Sequence, residues 1–292
     1  MFYKEKIMIG TAHFGMPYGI NQNKDNFTTK KEIKKILKIA RNHKILKLDT
    51  ASAYGIAEKN LGTCGIKDFQ VISKIFIDEN QHNLENYIYS QIENTLYNLK
   101  VGSLHGLLIH NPLSLLSNRG QHIFRYLLQA KEMYKIKKIG ISAHHFFEIK
   151  PIVKEFNIDI IQLPFNFFDQ RAIKDELFHL LKKNKIEIHV RSIFLQGLLL
   201  VPVNELPKNF LRWKQLFENL DTYVNNHNIS RLEACISYVN SFKEIDKIII
   251  GVQESKELEN IMSLNIKNLP PFEGALSSDE LLLIDPSKWK KN

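Results

Sequence analysis

Cysteine occurs only twice in the 292 residues, as Cys64 and Cys235. The pair is too far apart for a closely spaced motif, which excludes a disulfide framework and points to a reducing compartment. Glycine is sparse and dispersed, 13 residues in all, so the chain lacks the Gly-rich phosphate loop that a doubly wound nucleotide-binding sheet needs. No apolar run approaches the ~18 residues of a membrane span, and the apolar part of MFYKEKIMIG is too short for a signal peptide. Net charge is +9, but the lysines are scattered and no arginine-rich, aromatic-interleaved arm appears, so nucleic acid is not an expected partner. The excess charge reads first as a solvated lysine surface, and second as attraction for an anionic ligand such as a dinucleotide. What remains is a cytoplasmic protein whose 44% hydrophobic content is ample for a full core.

What the chain has is a rhythm. Eight short runs rich in Ile, Val and Leu read as buried strands: 6–12, 45–51, 69–75, 103–110, 136–142, 158–164, 186–193 and 246–252. Amphipathic stretches lie between them. The segment 28–44 starts at a Thr cap and puts Ile33, Ile36, Leu37 and Ala40 on one stripe. The segment 83–100 does the same with Ile88, Ile92 and Leu96. Further helices are expected near 119–134, 146–156, 172–184, 230–242 and 255–263, with about two turns between the second and third strands. Eight strand–helix units in ~250 residues predict a single (β/α)8 barrel. Residues 194–228 read as a long loop insertion with a short helix around Phe210–Asn225, and 264–292 as a C-terminal tail with a turn at the Pro270–Pro271 pair. No linker divides the chain, so 1–292 reads as one domain.

In such a barrel the reactive groups gather at the carboxyl ends of the strands. This sequence places there His13, Asp49 with Tyr54 after it, Lys74, His110, Ser142 with His144, Gln162 with Asn166, Arg191 with Ser192, and Gly251 with Gln253. Lys74 ends an otherwise apolar strand, and a buried ammonium needs a carboxylate; Asp49 ends the neighbouring strand. The pair is expected beneath Tyr54, where a positive neighbour lowers the phenol pKa from its usual ~10 and makes a better proton donor. His110 is placed to orient a carbonyl oxygen. Such a site protonates a developing alkoxide, and a cofactor must bring the hydride.

These residues resemble the aldo-keto reductases along nearly the whole chain. LDTASAYG is similar to that family's Asp-x-x-x-x-Tyr-Gly segment, ISKI carries its lysine, LLIHNP its histidine, IGIS its fifth-strand serine and IIQLPFN its sixth-strand glutamine. The resemblance implies reduction of an aldehyde or ketone with NADPH or NADH by a tetrad of Asp49, Tyr54, Lys74 and His110, Tyr54 being the acid. It also implies a cofactor site of Gly10, Thr11, Ser142, Gln162, Arg191, Ser192, Gly251, Gln253 and Glu257, with Ser142 and Gln162 on the carboxamide. The chain departs from the family's habit in three places. Ala143 stands where Asn often follows the serine, and Arg191 where a tyrosine often stacks on the nicotinamide. Gln253, Glu254 and Glu257 stand where NADPH-using members often carry basic groups, so only Lys256 is left to meet a 2′-phosphate. Family habit favours NADPH slightly. Backbone N–H groups at the start of 255–263 suit a phosphate with either cofactor.

Two other readings compete. The barrel can bind a nicotinamide cofactor without catalysis, as a regulatory or assembly subunit, although a complete tetrad argues against that use. Histidines at a barrel mouth also build metal-dependent hydrolases, but TAHFG offers one His and no carboxylate ends the eighth strand, so no metal site is expected. Phe14, Tyr18, Phe165, Phe194 and Trp213 are candidates for a substrate pocket or for ordinary core. The stretches GTAHFGMPYGI and RSIFLQGLLL resemble members from bacterial cell-surface sugar pathways, which implies a sugar-derived carbonyl as substrate.

Overall fold

Each of the eight apolar runs forms a strand, trimmed at its ends. They are β1 (Ile7–Gly10), β2 (Lys47–Asp49), β3 (Gln70–Ile75), β4 (Gly106–Ile109), β5 (Ile139–Ser142), β6 (Ile160–Pro164), β7 (Glu187–Arg191) and β8 (Lys247–Gly251). They pair in parallel, in chain order, and β8 closes on β1. The structure, a computed structural model, describes residues 3–20, 27–266 and 276–289. The architecture is a (β/α)8 barrel, as the strand–helix rhythm predicts.

The helices form where polar caps meet apolar stripes. In α1 (Lys30–Asn42), Thr29 accepts from the Glu32 N–H, and Ile33, Ile36, Leu37 and Ala40 are buried. The remaining helices of the ring are α2 (Ala57–Cys64), α3 (Leu84–Leu99), α4 (Gly120–Met133), α5 (Ile149–Glu155) and α6 (Leu177–Lys183), then α7 (Lys214–Asn226), α8 (Arg231–Asn240) and α9 (Ser255–Ser263). Apart from α7, their buried faces pack largely on the outward side chains of the strands in one large core.

The barrel interior carries the site. Met8, Ile72, Leu108, Ile160 and Ile249 fill one inner layer. Residues two apart in a strand share a face. Gly10, Lys74, His110, Gln162 and Gly251, each two residues further on, therefore point inward one layer nearer the mouth. Register adds the rest. Asp49 pairs with Gly10, Ser142 with Gln162, and Arg191 stands two residues beyond His189, which pairs with Gln162. Every strand thus places one predicted site residue at or just beyond its carboxyl end.

The insertion 194–228 holds a helix where one is expected, α7, and short 3-10 turns at Leu195–Leu200, Val203–Glu205 and Lys208–Trp213 lead into it. The segment also buries Leu195, Leu198, Phe210, Trp213 and Phe217 in a second apolar cluster. In the described part of the tail, Leu276, Leu283 and Ile284 belong to that same cluster. Pro270 and Pro271 lie outside the described residues.

Candidate active site

Lys74 is wholly buried. Its Nζ donates to Asp49 Oδ1 at 2.8 Å and Oδ2 at 2.7 Å, and to the Thr50 carbonyl at 2.9 Å. Three N–H donors thus meet three acceptors, which is what keeps an ammonium tolerable in an apolar barrel. The Tyr54 hydroxyl lies 3.4 Å from the same Nζ. The loop that carries Tyr54 leaves β2, and Gly55 closes it at φ +57°, where an added Cβ would meet the Gly15 carbonyl oxygen at 2.3 Å. Only glycine fits that turn.

The expected lowering of the Tyr54 pKa is not found. Burial raises the phenol pKa, the Asp49 carboxylate raises it further, and Arg191 pulls it only part of the way back. Asp49 neutralises the charge that was to favour tyrosinate, so Tyr54 is held as a neutral O–H.

His110 follows β4 and meets the Tyr54 ring edge-on, with centroids 6.0 Å apart. Its backbone N–H bonds the Ile75 carbonyl at 2.8 Å. The next residue fixes the turn: the Asn111 side chain pairs with the Ile77 N–H and C=O at 2.8 and 2.7 Å. Burial, Lys74, His144 and Arg191 together push the His110 imidazole down to about 3, so it is neutral near pH 7 and keeps one N–H to donate.

Arg191 reaches across the mouth from β7. Its Nη2 donates to the Ala143 carbonyl at 3.0 Å and contacts His144 Nδ1 at 3.1 Å. Guanidinium only donates, so Nδ1 is the acceptor and the proton of neutral His144 sits on Nε2. Arg191 accordingly drives His144 down to about 3. His144 is the group that sequence reasoning did not absorb; its place two residues beyond Ser142 was the available signal.

A cavity of about 340 Å³ opens at this layer, a size suited to a small-molecule site. Gly10, Thr11, Asp49, Tyr54, Arg191, Ser192, Gly251, Gln253 and Glu257 all line it. Ser142 and Gln162 lie deeper, both buried. Gln162 donates to Asp49 Oδ1 at 2.5 Å, while its Oε1 has no partner among the described residues. An acceptor left open there fits a carboxamide N–H, and Gly10 and Gly251 keep the wall free of side chains. These features suit a nicotinamide cofactor. Of the five aromatic candidates, Tyr18 and Phe194 line the cavity, whereas Phe14, Phe165 and Trp213 are core.

One part of the cofactor expectation is corrected. The N–H groups at the start of α9 do not stand open for a phosphate. Glu257 Oε2 accepts from the Gln253 and Glu254 N–H groups at 2.6 and 3.2 Å, and Glu32 Oε1 from the Ser255 N–H at 2.7 Å.

Comparison with known proteins agrees with the fold. The aldo-keto reductase AKR11C1 from Bacillus halodurans superposes in its holo form with a TM-score of 0.71 at 18% identity, over 91% of this chain and 88% of that one. Its apo form gives 0.68 at 20% identity, over 84% of each chain. A protein of Pseudomonas aeruginosa assigned to the aldo-keto reductases gives 0.66 at 17% identity, over 91% of each. At such identities the likeness speaks for the fold. No curated protein matches the sequence. The family evidence comes from the Aldo/keto reductase family profile, which matches residues 6–273. With most of its length inside that match, the chain belongs to the aldo/keto reductase family.

Proposed function

We propose that this protein reduces the carbonyl of a small aldehyde or ketone, or oxidises the corresponding alcohol, with Tyr54 as the proton donor. Family membership carries the coarse part, a nicotinamide-dependent oxidoreductase. The single observation that supports the finer part is the Lys74–Asp49–Tyr54 contact set at the floor of the cavity. Bound in that cavity, a reduced nicotinamide supplies the hydride that no side chain can.

The chain's own residues do the rest. Neutral His110 donates a hydrogen bond to the carbonyl oxygen and holds it near Tyr54. As negative charge grows on that oxygen, the Tyr54 O–H gives up its proton. The tyrosinate that results lies 3.4 Å from the Lys74 ammonium, so the arrangement favours the charge more after transfer than before. Gln162, through Asp49, keeps the carboxylate turned toward Lys74 rather than toward Tyr54. Arg191 and Ser192 bound the side of the cavity where the cofactor ring belongs. We take the whole chain as one working unit in the cytoplasm, with a sugar-derived carbonyl as the first substrate class to try. Among the described residues no helix is long and apolar enough to cross a membrane.

Tyr54→Phe tests this reading. The variant keeps the ring and loses the proton, so turnover on a carbonyl panel should fall by roughly 10²–10⁴ while cofactor affinity stays within about twofold. Undiminished turnover would remove Tyr54 as the acid. Cofactor binding without turnover in the wild type would return the chain to the regulatory-subunit reading.

A further inference from the structure

We infer that carboxylates at the outer end of the cavity select the dinucleotide without a 2′-phosphate, so that this chain uses NADH in preference to NADPH. The inference rests on the reductase reading and deepens it.

The cavity runs from Asp49 and Tyr54, past Gly10 and Gly251, to Gln253, Glu257 and Asn260. A cofactor whose reactive ring lies at Tyr54 must send its adenosine end toward α9. A phosphate arriving there needs open N–H donors or cations. The N–H groups of Gln253 and Glu254 are bonded to the Glu257 carboxylate, and that of Ser255 to Glu32. Lys35 is spent on Glu32, with Nζ 2.9 Å from Oε2. Of the bases near the helix start, Lys256 is exposed and makes no ion pair among the described residues. A 2′-phosphate placed here would displace a carboxylate from its donors or sit against it as a like charge.

The same arrangement suits an unmodified ribose. Glu257 lines the cavity and spends only Oε2 on the helix cap. Its Oε1 makes no hydrogen bond among the described residues and can accept from a ribose hydroxyl. A hydroxyl donates, a phosphate does not. Glu257 thus works in both directions, as an acceptor for the diol and as a charge against the phosphate.

The test is a pair of calorimetric titrations of the whole protein, with NADH and with NADPH. The expected ratio of dissociation constants is about 30 or more in favour of NADH, the size that one or two like-charge contacts at a protein surface give. Glu257→Gln keeps an oxygen for the two N–H groups and removes the charge, so the ratio should shrink by roughly fivefold or more. Glu32→Gln should shift it the same way from a different element. If the carboxylates served only to cap the helix, both variants would weaken the two dinucleotides equally and leave the ratio unchanged, which overturns the proposal. NADPH bound as tightly as NADH by the wild type also overturns it, with the reductase reading intact. The predicted ratio without turnover on any carbonyl would sink the reductase reading alone, and binding of neither dinucleotide would sink both.

Discussion

Lys74, Asp49, Tyr54 and His110 behave as one electrostatic unit, and each changes what the others can do. The sequence shows which residues meet, because Asp49, Lys74 and His110 stand at or just past the ends of neighbouring strands and Tyr54 follows on the loop after Asp49. It does not show the sign of the phenol's shift, which depends on burial and on how fully Asp49 cancels Lys74. A proton donor with a raised pKa stays protonated through the alkaline range. The pH profile of kcat/KM for reduction should therefore show no fall assigned to Tyr54 until above pH ~10, the ordinary phenol value. His110, pushed down to about 3, should add no step near pH 6.5. A descending limb between pH 7 and 9 that Tyr54→Phe abolishes would contradict this. The role of Asn111 and the partner of His144 were not legible, for a physical reason. One acts through a backbone turn and the other through a residue on a different strand, and neither relation is written in local sequence.

At the scale of elements, strands were more legible than the segments between them. Ile-rich runs such as 246–252 can hardly be anything but buried, and the Thr29 cap marks the start of α1. Helix ends were harder to read, because the chain spends little glycine on them. Lys44, Lys100, Lys135 and Lys185 take positive φ between 52° and 59° just past α1, α3, α4 and α6, where glycine is the usual residue. Lys135 thus closes α4 immediately before the run that leads into β5. A side chain in that conformation costs about 1 kcal/mol, and Lys100 is exposed, with φ 55° and ψ 42°. Lys100→Gly should raise unfolding stability by about 0.5–1 kcal/mol in urea titration, with no loss of turnover. A destabilised variant would mean that the lysine side chain contributes more than the backbone strain costs. In 194–228 the helix around Phe210–Asn225 was legible from its apolar stripe, whereas the turns before it are 3-10 and kinked at Gln196 and Gly197, which breaks the helical period.

For the molecule as a whole, the two apolar clusters divide the labour. The large one holds the strands to most of the helix ring, and so fixes the strand ends that carry the site. The smaller one gathers 194–228 and the tail beside α8. Arg231 ties it down through Asp221 at 2.7 Å and the Leu199 carbonyl at 3.2 Å. Phe194, Gln196, Gly197 and Leu200 bring that insertion to the cavity wall, so it helps to shape what enters. The central claim is that a cofactor hydride and a Tyr54 proton meet on one carbonyl here. The most direct measurement is isotopic: incubate the protein with NADH carrying deuterium at the transferable C4 position and a panel of sugar-derived and simple carbonyls, then locate the label by mass spectrometry. The account predicts deuterium on the carbinol carbon of the alcohol product, with formation of that product suppressed by Tyr54→Phe. Oxidation of NADH that leaves no label in any alcohol, or labelled alcohol formed equally well by the variant, would contradict it.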